Sequence, residues 1–312
     1  MNYRKYLIAA LAFPIAVALS PLAGAQAREP VKLGVGVDTA YAAMYVAKQG
    51  KLFEKHGVNV DVVQFTQGGD ALDAMVAGQM ALGASAEPTT LVRAARADIA
   101  VVGIFYQSGK YIKLVVKPGI TEPRQLRKLG IVPGTVSEYS TELMLAKYGI
   151  DPKSVEIIKV GPPEAPALLA RGDLDGYFMW EPWPTNGVKQ GGKILLTSGD
   201  VGYVDNMWLS TRRTWLATHQ AEAKAILAAL AEACEIVRSD PAKAAAAVQA
   251  EAKIPAEVVL NVLKDIQCVV RDFTPADMES YNRIADFLAS RKITPVRVDL
   301  DKVLQRGFYV AK

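Results

Sequence analysis

Histidine and cysteine are scarce in this chain, with two of each among its 312 residues. His56 and His219 stand apart in the sequence, and no cysteine pair has CxxC spacing, so the ligand cluster of a structural zinc site is missing. Neither a Gly-x-Ser-x-Gly turn nor a phosphate-binding P-loop occurs. We therefore expect no metal, no cofactor and no enzyme activity.

The two cysteines, Cys234 and Cys268, leave two possibilities open. In an oxidising compartment they can pair, or both can remain buried thiols. Both fall in segments that are predicted as helices, and the sequence does not show whether their Cα atoms come within the roughly 7 Å that a disulfide requires.

Charge and hydropathy exclude two further classes of partner. The formal net charge is +4, of which Arg4 and Lys5 near the N-terminus carry two. A balance this close to neutral lacks the clustered Lys and Arg that neutralise phosphates in nucleic-acid-binding proteins. After residue 27 no apolar run reaches the roughly 20 residues of a membrane-spanning helix. We expect neither a nucleic-acid partner nor a membrane span beyond that point.

The first 27 residues predict an export signal. Arg4 and Lys5 precede an apolar stretch over 7–19, and Ala25-Gln26-Ala27 has the small-x-small pattern of a cleavage site. The stretch is shorter than a membrane span, so cleavage is favoured over an anchor. No cysteine lies near the site, which argues against a lipid-anchored form. We expect a signal peptide over 1–27 and a mature protein that is released into a periplasm.

From residue 31 onward, short β-branched runs alternate with amphipathic stretches, a pattern typical of βα units that build parallel sheets. One series of strands and helices covers 31–106, and a second covers 111–197. Ala-rich helices with no strand between them are predicted in the tail, at 221–238, 241–252, 256–266 and 275–290. The sequence therefore predicts an α/β protein with two sheets.

Two such series require the chain to cross twice between lobes, near 107–110 and again within 199–220. Lobe 1 then comprises 28–108 plus 214–312, and lobe 2 comprises 109–213. In open parallel sheets, ligands bind outside the carboxyl ends of the strands. If both lobes present those ends to one cleft, hinge closure can enclose a small molecule.

Four segments carry a resemblance to a known family: 50–58 (GKLFEKHGV), 77–83 (AGQMALG), 149–157 (GIDPKSVEI) and 167–182 (ALLARGDLDGYFMWEP). In this order and spacing they resemble the periplasmic substrate-binding proteins of ABC importers, in the family that includes taurine, aliphatic sulfonate, nitrate and thiamine-pyrimidine binders. The resemblance covers essentially the whole mature chain, and taurine and sulfonate binders look closest.

This resemblance implies a bilobed periplasmic-binding-protein fold, type II-like, with two βα lobes joined by a two-crossing hinge. It also implies a monomer that captures a sulfonate or taurine-like zwitterion and delivers it to an ABC permease in the inner membrane. The alternative ligand is a planar nitrogen heterocycle such as a thiamine-pyrimidine precursor. A periplasmic sensory subunit is a further alternative. A pyrimidine-synthase-like enzyme is less favoured, because the cysteine cluster of that enzyme family is missing here.

Candidate ligand contacts in lobe 1 lie where predicted strands end: Asp38, Tyr41, Gln67, Gly68, Ser85 and Glu87. Asp38 suits a helix N-cap somewhat better than a direct ligand contact, whereas Tyr41 offers both apolar area and a hydroxyl. Glu87 stands where the resemblance to sulfonate binders implies a serine. A carboxylate there favours a cation or a zwitterion, unless it only lies at the positive end of its own helix.

Candidates later in the chain are Gly134, Thr135, Val136, Ser137, Ser140, Trp180, Glu181, Trp183 and Asn206. The segment 134–140 predicts an anion cradle of amides, hydroxyls and a helix dipole. Trp180 and Trp183 flank a carboxylate, as in a stacking wall, although tryptophans more often belong to the core. Asn206 corresponds roughly to a position where taurine binders can have an aspartate. Any amine is expected near Glu87 or Glu181.

Overall fold

The computed structural model describes residues 29–310, so the predicted signal peptide lies outside the described residues. None of the helices within 29–310 has the length and apolar character needed to cross a membrane. The described chain folds into two β-sheets with helices packed against them. Lobe 1 and lobe 2 denote, from here on, the six-stranded and the five-stranded sheet, each with its own helices.

The strands are, in chain order, β1 (Val31–Gly36), β2 (Val60–Phe65), β3 (Leu82–Ala86), β4 (Ile99–Ser108), β5 (Lys113–Val116), β6 (Lys128–Ile131), β7 (Glu156–Lys159), β8 (Gly176–Met179), β9 (Lys193–Thr197), β10 (Asp205–Arg212) and β11 (Gln267–Arg271). The lobe 1 sheet has the order β11-β4-β10-β3-β1-β2, and the lobe 2 sheet has the order β7-β6-β8-β5-β9. Both sheets are mixed. β10 runs antiparallel to β3 and β4, and β5 runs antiparallel to β8 and β9.

The α-helices are α1 (Ala42–Gln49), α2 (Leu52–Lys55), α3 (Gly68–Val76), α4 (Glu87–Ala94), α5 (Val136–Lys147), α6 (Ala165–Arg171), α7 (Trp183–Lys189), α8 (Arg213–Leu216), α9 (Gln220–Ser239), α10 (Pro241–Ala252), α11 (Ala256–Leu263), α12 (Pro275–Ser290) and α13 (Leu300–Val303). Short 3-10 helices occupy Thr39–Tyr41, Pro123–Gln125, Pro152–Ser154 and Gly199–Val201. α9 packs on α1, β4 and β11, and α3 packs on β1 and β3. The cleft-facing loops are therefore held by buried strands and helices.

Two strands were missed by the sequence analysis. β10 lies in the segment 199–220, for which the sequence predicts only the second crossing between lobes. β11 lies between α11 and α12, where the sequence predicts no strand. Nearly every residue of β10 is buried because the strand is central in its sheet, so it lacks the two-residue polar alternation that identifies a strand. β11 has five residues and follows the apolar helix α11 closely.

β10 also changes the predicted lobe boundary. Residues 205–212 pair with β3 and β4, so they belong to lobe 1 and not to lobe 2. The chain therefore returns to lobe 1 between β9 and β10, before residue 213.

Cys234 on α9 and Cys268 on β11 form a disulfide, with their Cα atoms 5.1 Å apart. The sequence left pairing and free thiols equally open, and the prediction that Cys268 lies on a helix is wrong. β11 is an edge strand that is hydrogen-bonded only to β4 within its sheet. The disulfide therefore ties this edge to the long helix behind it.

Removing the disulfide with Cys234→Ala and Cys268→Ala should lower the free energy of unfolding by about 2–4 kcal/mol, because the unfolded chain regains the entropy of an open loop. Guanidinium denaturation followed by circular dichroism measures this difference. Wild-type protein denatured with a reductant provides the matched control and should behave like the double variant. Equal stability of the oxidised wild type and the variant would contradict the prediction.

Candidate functional site

A cavity of about 50 Å³ lies between the lobes, with room for roughly three to five water molecules. Lobe 1 lines it with Asp38, Ala40, Tyr41, Gln67, Gly68, Gly69, Ser85, Ala86, Thr89, Asp205 and Met207, and lobe 2 lines it with Tyr111, Ile112, Thr135, Val136 and Trp180. A larger surface depression of about 710 Å³ surrounds Trp215 but belongs to lobe 1 alone. The cavity between the lobes is therefore the candidate site.

On the lobe 1 side, the carboxyl ends of β1, β2 and β3 lead directly into helices that begin at the cavity. Asp38 caps the first of these, because its Oδ1 accepts a hydrogen bond of 2.8 Å from the amide of Ala40. α3 begins at Gly68 and α4 follows Ala86. The first amides of a helix have no carbonyl partner within it, and they carry its positive end.

Gly68 must be a glycine because the chain passes very close to its neighbours here. A Cβ at this position would lie 2.3 Å from the Tyr41 Oη and 2.7 Å from the Ser85 Oγ. The Tyr41 hydroxyl is itself fixed by donating a hydrogen bond of 3.1 Å to the carbonyl of Ala84. The absent side chain therefore leaves the α3 amides close to the cavity.

On the lobe 2 side, the cavity wall is the start of α5, which follows β6. Thr135 caps this helix by accepting a hydrogen bond of 3.1 Å from the amide of Ser137, and its hydroxyl donates to the carbonyl of Val132 at 2.8 Å. Val136 is the first helical residue. Trp180, which follows β8, completes this wall.

Tyr111 connects the two lobes across the cavity. It lies just after the first crossing, and its hydroxyl is 3.0 Å from the Asp38 Oδ1 and 3.4 Å from the carbonyl oxygen of Glu181. The Asp38–Tyr111 hydrogen bond therefore holds lobe 2 against the end of β1.

Two buried carboxylates give the cavity its electrostatic character. Burial raises the pKa of Asp38 to about 7, against the lowering effect of its hydrogen bonds from Ala40 and Tyr111. Burial, and then the charge of Glu87, raise the pKa of Asp205 well above its usual value. Asp205 is 1% exposed, and its Oδ1 has no hydrogen-bond partner within the described chain.

Positive charge at the cavity comes from the backbone and not from side chains. Within residues 29–310, the cavity lining contains no lysine, arginine or histidine. Amides at the starts of α3, α4 and α5 supply partial positive charge instead. An anionic group can therefore lie at the amides and a cationic group at the carboxylates.

Glu87 and Asn206, two predicted ligand contacts, lie behind the cavity and bind each other. Glu87 is fully buried and accepts hydrogen bonds of 2.9 Å from the Tyr203 hydroxyl and 2.9 Å from the Asn206 amide. The Asn206 side-chain oxygen accepts a hydrogen bond of 3.2 Å from Arg271. Neither residue lines the cavity.

The other predicted residues outside the cavity lining are Gly134, Ser137, Ser140, Glu181 and Trp183. Glu181 forms a salt bridge of 3.0 Å with Lys113 and accepts a hydrogen bond from the amide of Thr185, so its carboxylate is occupied. The Ser137 hydroxyl accepts from the amide of Val132, and Trp183 packs against the smaller hydrophobic core.

The remaining two predicted residues, Gly134 and Ser140, lie in the turn before α5 and within α5. The amide of Gly134 donates to the Glu138 carboxylate at 2.7 Å, so it is not free to bind an anion. The Ser140 hydroxyl is buried without a partner among residues 29–310, but it does not reach the cavity.

The structure brings together at the cavity the predicted residues Asp38, Tyr41, Gln67, Gly68, Ser85, Thr135, Val136 and Trp180. Sequence reasoning missed Ala40, Gly69, Ala86, Thr89, Tyr111, Ile112, Asp205 and Met207. Asp205 and Met207 lie on β10, the strand that was missed. Thr89 lies in the first turn of α4, which the Ser85 loop could have indicated.

Comparison with known proteins identifies the family. The sequence profile of the NMT1-like family matches residues 24–252. The chain belongs to this family. It is 31% identical over 206 residues to the taurine-binding periplasmic protein of Escherichia coli K12, a match that covers 65% of this chain and 61% of the relative.

Solved structures confirm the predicted fold. The periplasmic aliphatic sulphonate-binding protein SsuA from Escherichia coli superimposes with a TM-score of 0.79 at 21% identity, over 88% of this chain and 96% of that one. The alkanesulfonate-binding protein SsuA from Xanthomonas axonopodis pv. citri, bound to MOPS, gives a TM-score of 0.78 at 20% identity, over 90% and 100%. The protein therefore has the bilobed periplasmic-binding-protein fold, and its homologues are binding proteins.

Replacing Gly68 with alanine should displace Tyr41 and Ser85, because the added Cβ has no space. We expect the thermal midpoint to fall by several degrees, which corresponds to roughly 1–3 kcal/mol for overpacking. Gly161→Ala is a matched control for the loss of a glycine, since an added Cβ there would make only ordinary contacts with Glu164, at 3.5 Å or more. A Gly68→Ala variant as stable as the wild type would contradict the packing argument.

The raised pKa of Asp38 predicts a pH-dependent stability. Between pH 4 and about 7 the folded state keeps a proton on Asp38 that the unfolded state loses, so this residue lowers stability as the pH rises. Asp38→Asn retains the cap but does not titrate. The variant should therefore gain stability relative to the wild type, by at most roughly 4 kcal/mol from pH 4 to 7. Urea denaturation across this range measures the gain, and a constant difference would contradict it.

Proposed function

We propose that this chain is the periplasmic solute-binding component of an ABC importer and captures a small ammonium-bearing sulfonate, such as taurine, between its lobes. The observation that carries the proposal is the cavity, in which two carboxylates and several helix amides face one small volume. The similarity to a taurine-binding periplasmic protein supports the same ligand class. We place the protein in the periplasm, as a monomer that delivers its ligand to a permease and catalyses nothing.

The anionic end of the ligand fits the helix starts. The amides of Gly68, Gly69 and Val136 belong to the first turns of α3 and α5, where no helical carbonyl is available to them. Hydroxyls of Ser85 and Thr89 lie on the same cavity wall. Three sulfonate oxygens need several donors from different directions, and helix termini provide such donors without a charged side chain.

The cationic end fits the carboxylates of Asp38 and Asp205. A buried carboxylate without a counter-ion is unfavourable, and none of the groups within residues 29–310 that shift the pKa of Asp205 is a cation. An ammonium group can supply the opposite charge. A bare sulfonate or a nitrate ion would instead meet two acids without a counter-ion.

Ligand capture favours the closed state because a ligand in this cavity contacts both lobes. A ligand shifts such an equilibrium only by binding one state better than the other. Besides Asp38 and Tyr111, an ion pair between Arg291 on lobe 1 and Glu142 on α5 joins the lobes. Closure then buries the ligand between amides and carboxylates that are already in place.

A planar heterocycle fits this cavity less well. Trp180 lines the cavity but Trp183 does not, so the pair of tryptophans that would stack on a ring is not assembled there.

Isothermal titration calorimetry of the protein purified from a periplasmic fraction tests the proposal. Taurine should bind more tightly than ethanesulfonate, which lacks the ammonium group, and more tightly than nitrate or a thiamine-pyrimidine precursor. Asp205→Asn should weaken taurine binding by about 30-fold or more, the usual loss when one partner of a buried charge pair is removed. Ethanesulfonate binding should not weaken.

Asp61→Asn is the matched control, because Asp61 is exposed on β2 away from the cavity. It should bind taurine like the wild type. Tight binding of ethanesulfonate or nitrate together with no binding of taurine would overturn the zwitterion assignment. Binding of the pyrimidine alone would transfer the assignment to the heterocycle.

A further inference from the structure

We propose that the ligand-free closed cavity holds a proton on its carboxylates, and that the ligand's ammonium group displaces this proton on binding. Each captured zwitterion would then release a proton to the solvent. This inference rests on the proposed function, since it requires a ligand with a cationic group.

Among residues 29–310, the groups that shift the pKa of Asp205 are acids, a phenol and its own backbone, and none is a cation. Glu87 on α4, Tyr106 on β4 and Asp38 after β1 all influence its pKa. Tyr203, two residues earlier in the chain, is in turn affected by the charge of Asp205. The Tyr106 hydroxyl is close enough to Asp205 to lower the pKa of that carboxyl, but a neutral phenol does not balance its charge. A carboxylate in this position has nothing to balance its charge except a proton or a ligand.

Asp38 is in a similar position. Its Oδ1 accepts hydrogen bonds from the Ala40 amide and the Tyr111 hydroxyl. The other titratable groups that its charge affects are Tyr41, Tyr45, Tyr106 and Asp205. None of these is a cation.

Basic side chains close to the cavity are already paired. The Arg93 guanidinium, which lies beside Gly69 and donates to the carbonyl of Thr89, binds the Asp73 carboxylate at 2.7 Å. Lys113 binds Glu181 and Asp265 at 3.0 and 2.8 Å, and Arg271 binds the Asp277 carboxylate. Arg271 also reaches Asn206 and Gln107. They neutralise other acids, so Asp38, Asp205 and Glu87 are left as a buried group of three carboxyls. Burial raises the pKa of Asp38 and of Glu87 to about 7.

The charges balance in the exchange. A neutral carboxyl in the empty cavity loses its proton to water, and the resulting carboxylate pairs with the ammonium group of the ligand, which keeps its own protons. The affinity must then rise with pH, by up to tenfold per unit for each proton released, until the empty cavity is deprotonated by itself. The affinity for a bare anion would instead fall as the pH rises, because a negative charge favours the protonated form of the cavity.

Calorimetric titration of the exported protein with taurine at pH 6.5, in phosphate and in imidazole buffer, measures the exchange. The two buffers differ in ionisation enthalpy, so the difference in observed heat gives the number of protons released. We expect close to one proton per taurine, and an association constant that rises up to tenfold from pH 5.5 to 6.5. Binding with no release, or with proton uptake, would overturn the inference and leave the proposed function standing.

Variants identify the carboxyl that exchanges. Asp205→Asn should reduce the proton release, and Asp38→Asn serves as the second variant if Asp205→Asn does not fold. Asp61→Asn should release the same number of protons as the wild type. Unchanged release in both cavity variants would overturn the assignment of the proton to these residues. Failure of taurine to bind the wild type would refute the proposed function and this inference together.

Discussion

The candidate site depends on the bond between Glu87 and β10. Glu87, at the start of α4, accepts hydrogen bonds from the backbone and the side chain of Asn206. These bonds fix which side chains of β10 point to each face of the sheet. Because successive side chains of a strand point to opposite sides, Asp205 and Met207 then face the cavity while Asn206 faces Arg271. A shift of β10 by one residue would exchange these roles and remove the carboxylate from the cavity.

The two lobes contact each other through a hydrogen bond at the cavity and through aromatic and ionic contacts farther out. Tyr111 reaches Asp38 across the cavity. Farther out, Tyr139 on α5 packs against Phe287 on α12 with ring centroids 5.2 Å apart, next to the ion pair of Arg291 and Glu142. Contacts of this kind are modest individually, so a closed state that they hold together remains sensitive to whether a ligand fills the cavity.

Sequence reasoning located the strand ends well because their chemistry is local. A cap such as Asp38 and a glycine such as Gly68 follow a strand directly, and parallel strands bring these loops to one edge. The face of the sheet to which a given strand side chain points is not determined by the local sequence. Asp205 and Asn206 are adjacent, and which of them faces the cavity depends on the pairing of β10 with β3 and β4, roughly a hundred residues earlier. The strand was hidden because burial on both faces removes the alternation that marks a strand.

An acidic lining is compatible with an anionic ligand because the two charges are handled by different groups. Helix amides carry partial positive charge that cannot be titrated, so they can hold sulfonate oxygens while the side chains remain acidic. Under the proposed function, the buried carboxylate of Asp205 then sets the selectivity. An inorganic anion can satisfy the amides but leaves this carboxylate buried without a partner, whereas a zwitterion satisfies both. Under the proposed function, discrimination against small inorganic anions would arise from a buried carboxylate that has no cationic partner among residues 29–310.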